Sequence, residues 1–138
     1  MTLGTFVGNT EGLRKYDTIS FAPNKAFNSY NTVEFIDAQI ASWNKMKDEY
    51  IVKNGAHNEE TDEFSVQSKE LFGPFMKWSD GVLNTEVKLP DYYETFTREE
   101  IGEEALSSKE IRQLKALGLL VEAEEEVKEE VKEEVKKK

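Results

Sequence analysis

The chain has 138 residues, enough for a domain with a real hydrophobic core, and its 28 acidic and 18 basic side chains give a formal net charge of −10. It has no cysteine, so zinc ribbons, disulfide scaffolds, thiol enzymes and cysteine-based redox centres are excluded. No run approaches the roughly 20 apolar residues of a membrane-spanning helix, and so acidic a chain repels nucleic acid and anionic lipid; neither is expected as a direct partner.

Met1-Thr2-Leu3-Gly4-Thr5-Phe6 has neither the basic start nor the apolar run of a signal peptide, so secretion by that route is not expected. Thr5-Phe6-Val7 and Thr18-Ile19-Ser20-Phe21-Ala22 alternate β-branched or aromatic side chains with small or polar ones, which predicts two short strands. Gly8-Asn9 and Glu11-Gly12 supply turn chemistry between them, and Pro23-Asn24 breaks the second run. The segment is expected to form a hairpin, or else an extended arm that pairs with another subunit.

Residues 32–53 predict a long amphipathic helix. Asn31 is a capping residue with Glu34 three positions on, and Ile36, Ile40, Trp43 and Tyr50 recur at helical spacing, with Val33, Met46 and Ile51 widening the stripe. Asn54-Gly55 ends it, and a polar, acidic loop is expected over 56–64. A short helix is expected from Glu63 to Phe72, stopped by Gly73-Pro74. The aromatic run Phe75–Trp78 then closes on a Ser79-Asp80-Gly81 turn, and Val82–Leu89 reads as a strand ended by Pro90-Asp91. Near the end, Thr97 caps a single turn, and Ser107 or Ser108 caps a helix over Lys109–Leu117. Gly118 stops that helix, with Leu119 folding back on Leu114.

Composition changes at Val121. Residues 121–138 hold eight glutamates, five lysines, four valines and one alanine, whereas all the aromatic residues precede position 97. The expected organisation is therefore a compact α+β domain over 1–120 and a Glu/Lys/Val-rich tail over 121–138. The Val-Lys-Glu-Glu repeat suits a solvated helix with Glu–Lys pairs four apart, or a disordered tail. Its four-residue valine period drifts around a helix and makes no straight coiled-coil seam. The expected fold is one long amphipathic helix packed against a small antiparallel sheet or extended arms, with shorter C-terminal helices.

Chemistry has few parts to work with. His57 stands beside Asn58, Glu59, Glu60 and Asp62, but one imidazole in a loop matches neither a zinc helix nor a calcium loop, so no metal site is assigned. There is no cysteine, no GxSxG elbow and no glycine-rich phosphate loop, and carboxylate pairs are inevitable by chance among 28 acids. A non-enzyme without catalytic residues or cofactor is expected. Lys109, Arg112, Gln113 and Lys115 partly meet the needs of a DNA-reading helix, but Glu99, Glu100, Glu103, Glu104 and Glu110 oppose phosphate beside it.

The aromatic groups carry the positive signal. Phe72, Phe75 and Trp78 fall three apart, and Tyr92, Tyr93 and Phe96 follow the Pro90-Asp91 break. They either cover the long helix as core or form an interface, where Tyr and Trp are the preferred anchors. On the interface reading, Phe6, Trp78, Leu89, Tyr92, Tyr93 and Phe96 are the candidate partner-binding residues. Leu89–Phe96 would then run along a neighbour's surface, with residues 1–16 as a second clamp.

The stretch Phe96-Thr97-Arg98-Glu99-Glu100-Ile101 through Ser107-Ser108-Lys109-Glu110-Ile111-Arg112-Gln113-Leu114-Lys115-Ala116-Leu117-Gly118-Leu119-Leu120, followed by a Glu/Lys tail, resembles the C-terminal ends of small tailed-bacteriophage virion proteins. The resemblance covers about a fifth of the chain. It implies a capsid, neck or tail component working in many copies without a cofactor, located in the virion or the host cytoplasm. The expected function is thus structural or assembly work through other protein subunits, in a homo- or hetero-oligomer. The alternative is an acidic inhibitor or regulator that occupies a basic, nucleic-acid-binding surface of another protein. A carboxylate acid–base enzyme stands third.

Overall fold

The computed structural model describes residues 1–101 and 105–121, so the charged tail from Glu122 on lies outside the described residues. The fold is α+β. In chain order come α1 (Leu3–Gly8), α2 (Thr10–Thr18), α3 (Pro23–Asn54), β1 (Ala56–Asn58), β2 (Glu63–Ser65), α4 (Lys69–Leu83), a 3-10 turn (Glu99–Ile101) and α5 (Ser108–Ala116). Within the span 1–120 the chain forms two compact units, one of Met1–Gly8 with Glu34–Pro90, the other of Asn9–Val33 with the described residues from Asp91 on.

The long helix is present and starts earlier than its apolar stripe suggests. Pro23 takes the first helical position, where a missing N–H is no loss and its fixed φ suits the helix. The Ala22 carbonyl accepts from the N–H of Lys25 at 2.8 Å and of Ala26 at 2.9 Å. The inward face then runs through Ser29, Thr32, Val33, Ile36 and Trp43, all buried. Two of these are hydroxyl residues that satisfy themselves on the helix's own carbonyls: Ser29 Oγ donates to Ala26 O at 2.9 Å and Thr32 Oγ1 to Asn28 O at 2.7 Å.

The small antiparallel sheet exists, but elsewhere than expected. It is the hairpin β1–β2, with Ala56 opposite Ser65, His57 opposite Phe64 and Asn58 opposite Glu63, in the region expected to be a loop. Asp62 takes the left-handed conformation that closes its four-residue turn, with φ of 56°, and Asn58 Oδ1 accepts from the Glu60 N–H at 2.9 Å.

The predicted N-terminal hairpin or extended arm is corrected to the helices α1 and α2. A three-residue alternation such as Thr5-Phe6-Val7 fits either period. The buried pairs Leu3/Phe6 and Leu13/Tyr16 stand three apart, and burial of those faces decides for helix. The predicted strand over 82–89 is also corrected: Val82 and Leu83 close α4, and Glu86 alone bridges, antiparallel, to Thr2. Gly73-Pro74 does not stop a helix but lies inside α4. Pro74 sits in the second turn, where it forfeits one N–H bond toward an early carbonyl, while the face carrying Phe75, Trp78, Ser79 and Val82 packs inward downstream. The expected Ser79-Asp80-Gly81 turn is helical for the same reason.

In the second unit α2 packs closely against α5. Gly12 makes this possible: a Cβ there would stand 2.7 Å from Gln113 Cβ and 3.2 Å from Leu114 N, and its N–H donates to Gln113 Oε1 at 2.7 Å. Gly12→Ala is expected to cost about 1–3 kcal/mol by forcing the helices apart. Gly81→Ala, where an added methyl meets nothing within 4 Å, should instead raise stability by about 0.4–1 kcal/mol. Urea unfolding of the two variants beside the parent checks both signs.

α5 carries the capping expected of it. Ser107 Oγ accepts from the Glu110 N–H at 3.1 Å and Glu110 Oε1 from the Ser107 N–H at 2.8 Å, a reciprocal capping box that holds the Glu110 carboxyl below its ordinary range. Gly118, at φ 69°, turns the chain out. The Gly118 N–H then reaches Lys115 O and the Leu119 N–H reaches Leu114 O, each at 3.0 Å, with both leucines fully buried.

Candidate interaction surface

In the first unit the site begins with helical spacing. Trp43 and Tyr50 lie seven residues apart on α3, hence on one face and about 10 Å apart along the axis. Trp78 from α4 slots into that interval. Its ring lies 4.2 Å from Tyr50 at 18° and 5.8 Å from Trp43 at 24°, so three rings stack. Phe75, one turn earlier on α4, leans on Tyr50 at 5.7 Å, and Lys47 Nζ sits 5.9 Å from the Trp43 ring. Beside the stack lies an open groove of about 410 Å³ lined by Met46, Glu49, Tyr50, Lys53, Asn54 and Trp78. Its floor is aromatic and its rim carries one charge of each sign, Glu49 and Lys53, which suits an apolar side chain held from above. On the outer side of α4, Phe72 and Met76 stand four apart and exposed.

In the second unit the segment Asp91–Phe96 is strapped to its own chain. Thr32 Oγ1 shares its proton between Asn28 O and, at 3.2 Å, Tyr92 O, and it accepts from the Glu94 N–H at 2.9 Å. Tyr16 Oη donates to Glu94 O at 2.8 Å, and Tyr93 Oη donates to Leu117 O. Burial pushes both phenols well above their ordinary range; for Tyr16 the Thr32 hydroxyl opposes this and the nearby Glu94 charge adds to it. Lys25 Nζ donates to Thr95 O at 2.9 Å and pairs with Glu94 and Glu100. Its own partial burial disfavours the charge, but the two carboxylates outweigh it and raise the Lys25 pKa. The Glu100 carboxyl is lowered in turn, first by the Lys25 bond. Phe96 bridges in parallel to Leu120, and its ring lies 5.9 Å from Tyr16 and 5.8 Å from Phe21.

The six candidate partner-binding residues therefore separate. Phe6 and Phe96 are corrected to core positions. Phe6 is fully buried and meets Phe35 edge-on at 6.0 Å, and Phe96 keeps 1% of its surface. Trp78, Leu89 and Tyr93 are half-buried, and Tyr92 is 40% exposed. The residues the sequence reading passed over are Phe27, 73% exposed, and Tyr30, 64% exposed, three apart on α3. Their signal was available: they fall off the stripe through Ser29, Thr32, Val33 and Ile36 once the helix is started at Pro23.

His57 pairs through Nε2 with Asp62 Oδ1 at 2.7 Å across the hairpin turn, and its ring lies 4.7 Å from Phe64, tilted by 34°. Among the described residues no three His, Asp or Glu side chains gather as a metal-binding group, and no helix is long and apolar enough to cross a membrane. Every buried side-chain nitrogen and oxygen described has a hydrogen-bond partner. Compared with protein-family models, with curated proteins and with solved structures, the chain finds no match.

Proposed function

We propose that this chain is a non-enzymatic structural or assembly protein that works through contact with other protein subunits, of the tailed-phage virion kind that its C-terminal segment resembles. The observation that supports this reading is the outward placement of large apolar side chains on helices, Phe27 and Tyr30 on α3 and Phe72 and Met76 on α4. Burying such a side chain is worth roughly 1.5–3 kcal/mol, so a partner that covers several gains a firm hold. Many modest contacts repeated in an assembly add through effective concentration. Static light scattering of the full chain over a range of concentrations, combined with capture by a tagged copy, tests the proposal. Species heavier than a monomer, or a stoichiometric protein partner, are the expected results. A monomer at every concentration with no partner overturns it. Partner binding that collapses as salt rises would favour the acidic-regulator reading, since apolar contacts are little screened.

A further inference from the structure

Resting on that contact reading, we infer that copies of this chain join head to tail, Phe27 and Tyr30 of one copy seating in the groove beside Trp78 of the next. The projecting residues lie within the second compact unit and the groove lies within the first. A contact between copies takes one unit from each, so it needs nothing from how the two units sit in a single chain.

The projecting surface is built by the first turns of α3. Asn24, Phe27 and Tyr30 stand three apart and so follow one another along one side of the helix. Phe27 and Tyr30 are the two most exposed large apolar side chains of the described residues. Lys25 is the one charged residue between Pro23 and Val33, and it is turned to Glu94 and Glu100. The row therefore meets a neighbour as an uncharged knob.

The receiving surface complements it. Met46, Tyr50 and Lys53 line the groove from α3 and Trp78 lines it from α4, and its volume of about 410 Å³ is of the size that holds small ligands. A phenyl ring entering it gives up its exposed surface to Met46 and to the aromatic floor, where ring-on-ring contact adds to the area term. The rim answers the polar ends of the knob in kind: Glu49 accepts, Lys53 donates, and the Asn24 amide and Tyr30 hydroxyl do either. Glu49 and Lys53 also cancel in charge, so the groove is as neutral as the knob. In a chain of net charge −10, copies repel over most of their surface and meet at least cost where neither brings net charge. A basic partner would gain more on acidic faces, so neutrality on both sides favours a second copy. Because knob and groove are different surfaces, a copy bound through one still offers the other, and association runs on past a dimer.

The test uses full-length variants in sedimentation equilibrium, with circular dichroism confirming that each is folded. Phe27→Ser removes the knob, and Met46→Glu and Met46→Lys each put a charge in the groove wall. Each variant alone should weaken association at least roughly tenfold, the loss that follows from one unburied apolar side chain. The two Met46 variants should agree although they move the net charge in opposite directions. An equimolar mixture of Phe27→Ser with Met46→Lys should regain the contact and stop at a one-to-one pair, because the first copy keeps its groove and the second keeps its knob. A variant that associates like the parent, or a mixture that stays monomeric, overturns the inference. So does a parent that stops at a closed dimer, or a monomeric parent that captures a different protein; both leave the contact reading standing. A monomeric parent with no partner defeats both.

Discussion

Phe96→Ala is expected to lower stability by about 3–5 kcal/mol, the range for a buried phenylalanine whose neighbours collapse only in part. The ring keeps 1% of its surface and contacts Tyr16 and Phe21. The backbone around it is fixed on both sides, the Phe96 N–H reaching Leu119 O and the Val121 N–H reaching Phe96 O, each at 2.8 Å, so little movement is available to fill the cavity. Such a loss is a large fraction of the roughly 5–15 kcal/mol that holds a typical domain together. Tyr92→Ala, four positions earlier on the same strap, should cost far less, about 1 kcal/mol, because Tyr92 is 40% exposed and its carbonyl bond to Thr32 is kept. Denaturant unfolding of the two variants separates the roles. An intact Phe96→Ala protein that loses only its association would return Phe96 to an interface.

How much of this was legible in the sequence depends on which residue type fills each buried face. Ile36, Trp43 and Tyr50 announce the later turns of α3, from about residue 32 on, because they are apolar at helical spacing. The first half is hidden because its buried positions include Ser29 and Thr32, whose hydroxyls bond to the helix's own carbonyls and look polar in a pattern. Ser79 conceals α4 in the same way, sitting buried where a turn was read. Gly12 misled through the opposite ambiguity: glycine marks either a turn or a close approach, and here α5 lies against it. The end of α5 was readable throughout, since capping boxes and glycine stops depend on a few neighbouring residues. The candidate surface was half readable. An aromatic segment after proline announces that it will be buried but not against which chain, and Thr32 and Tyr16, far away in sequence, are what tie it home.

Trp78→Ala should remove about 3–5 kcal/mol from the first unit, by the same large-to-small logic applied to the middle ring of a stack. Trp43 and Tyr50 are fixed at their two-turn separation by α3 and cannot close on each other when the indole is gone, so the gap between them persists or fills with water. The loss comprises the area buried on both faces of the indole and the aromatic contacts themselves, each worth about 0.5–1.5 kcal/mol beyond area. Fluorescence offers a second readout, since Trp43 becomes the sole tryptophan. It is 5% exposed in the intact protein, and with its cover removed its emission should shift to longer wavelength. Trp78→Phe, which keeps a ring in the slot, should recover much of the stability. Met76→Ser on the outward side of α4 should leave stability within about 0.5 kcal/mol, so any effect it has falls on association. A Trp78→Ala protein that unfolds like the parent, with the Trp43 emission unmoved, would mean that the stack does not hold α4 to α3, and the groove beside it would lose its wall.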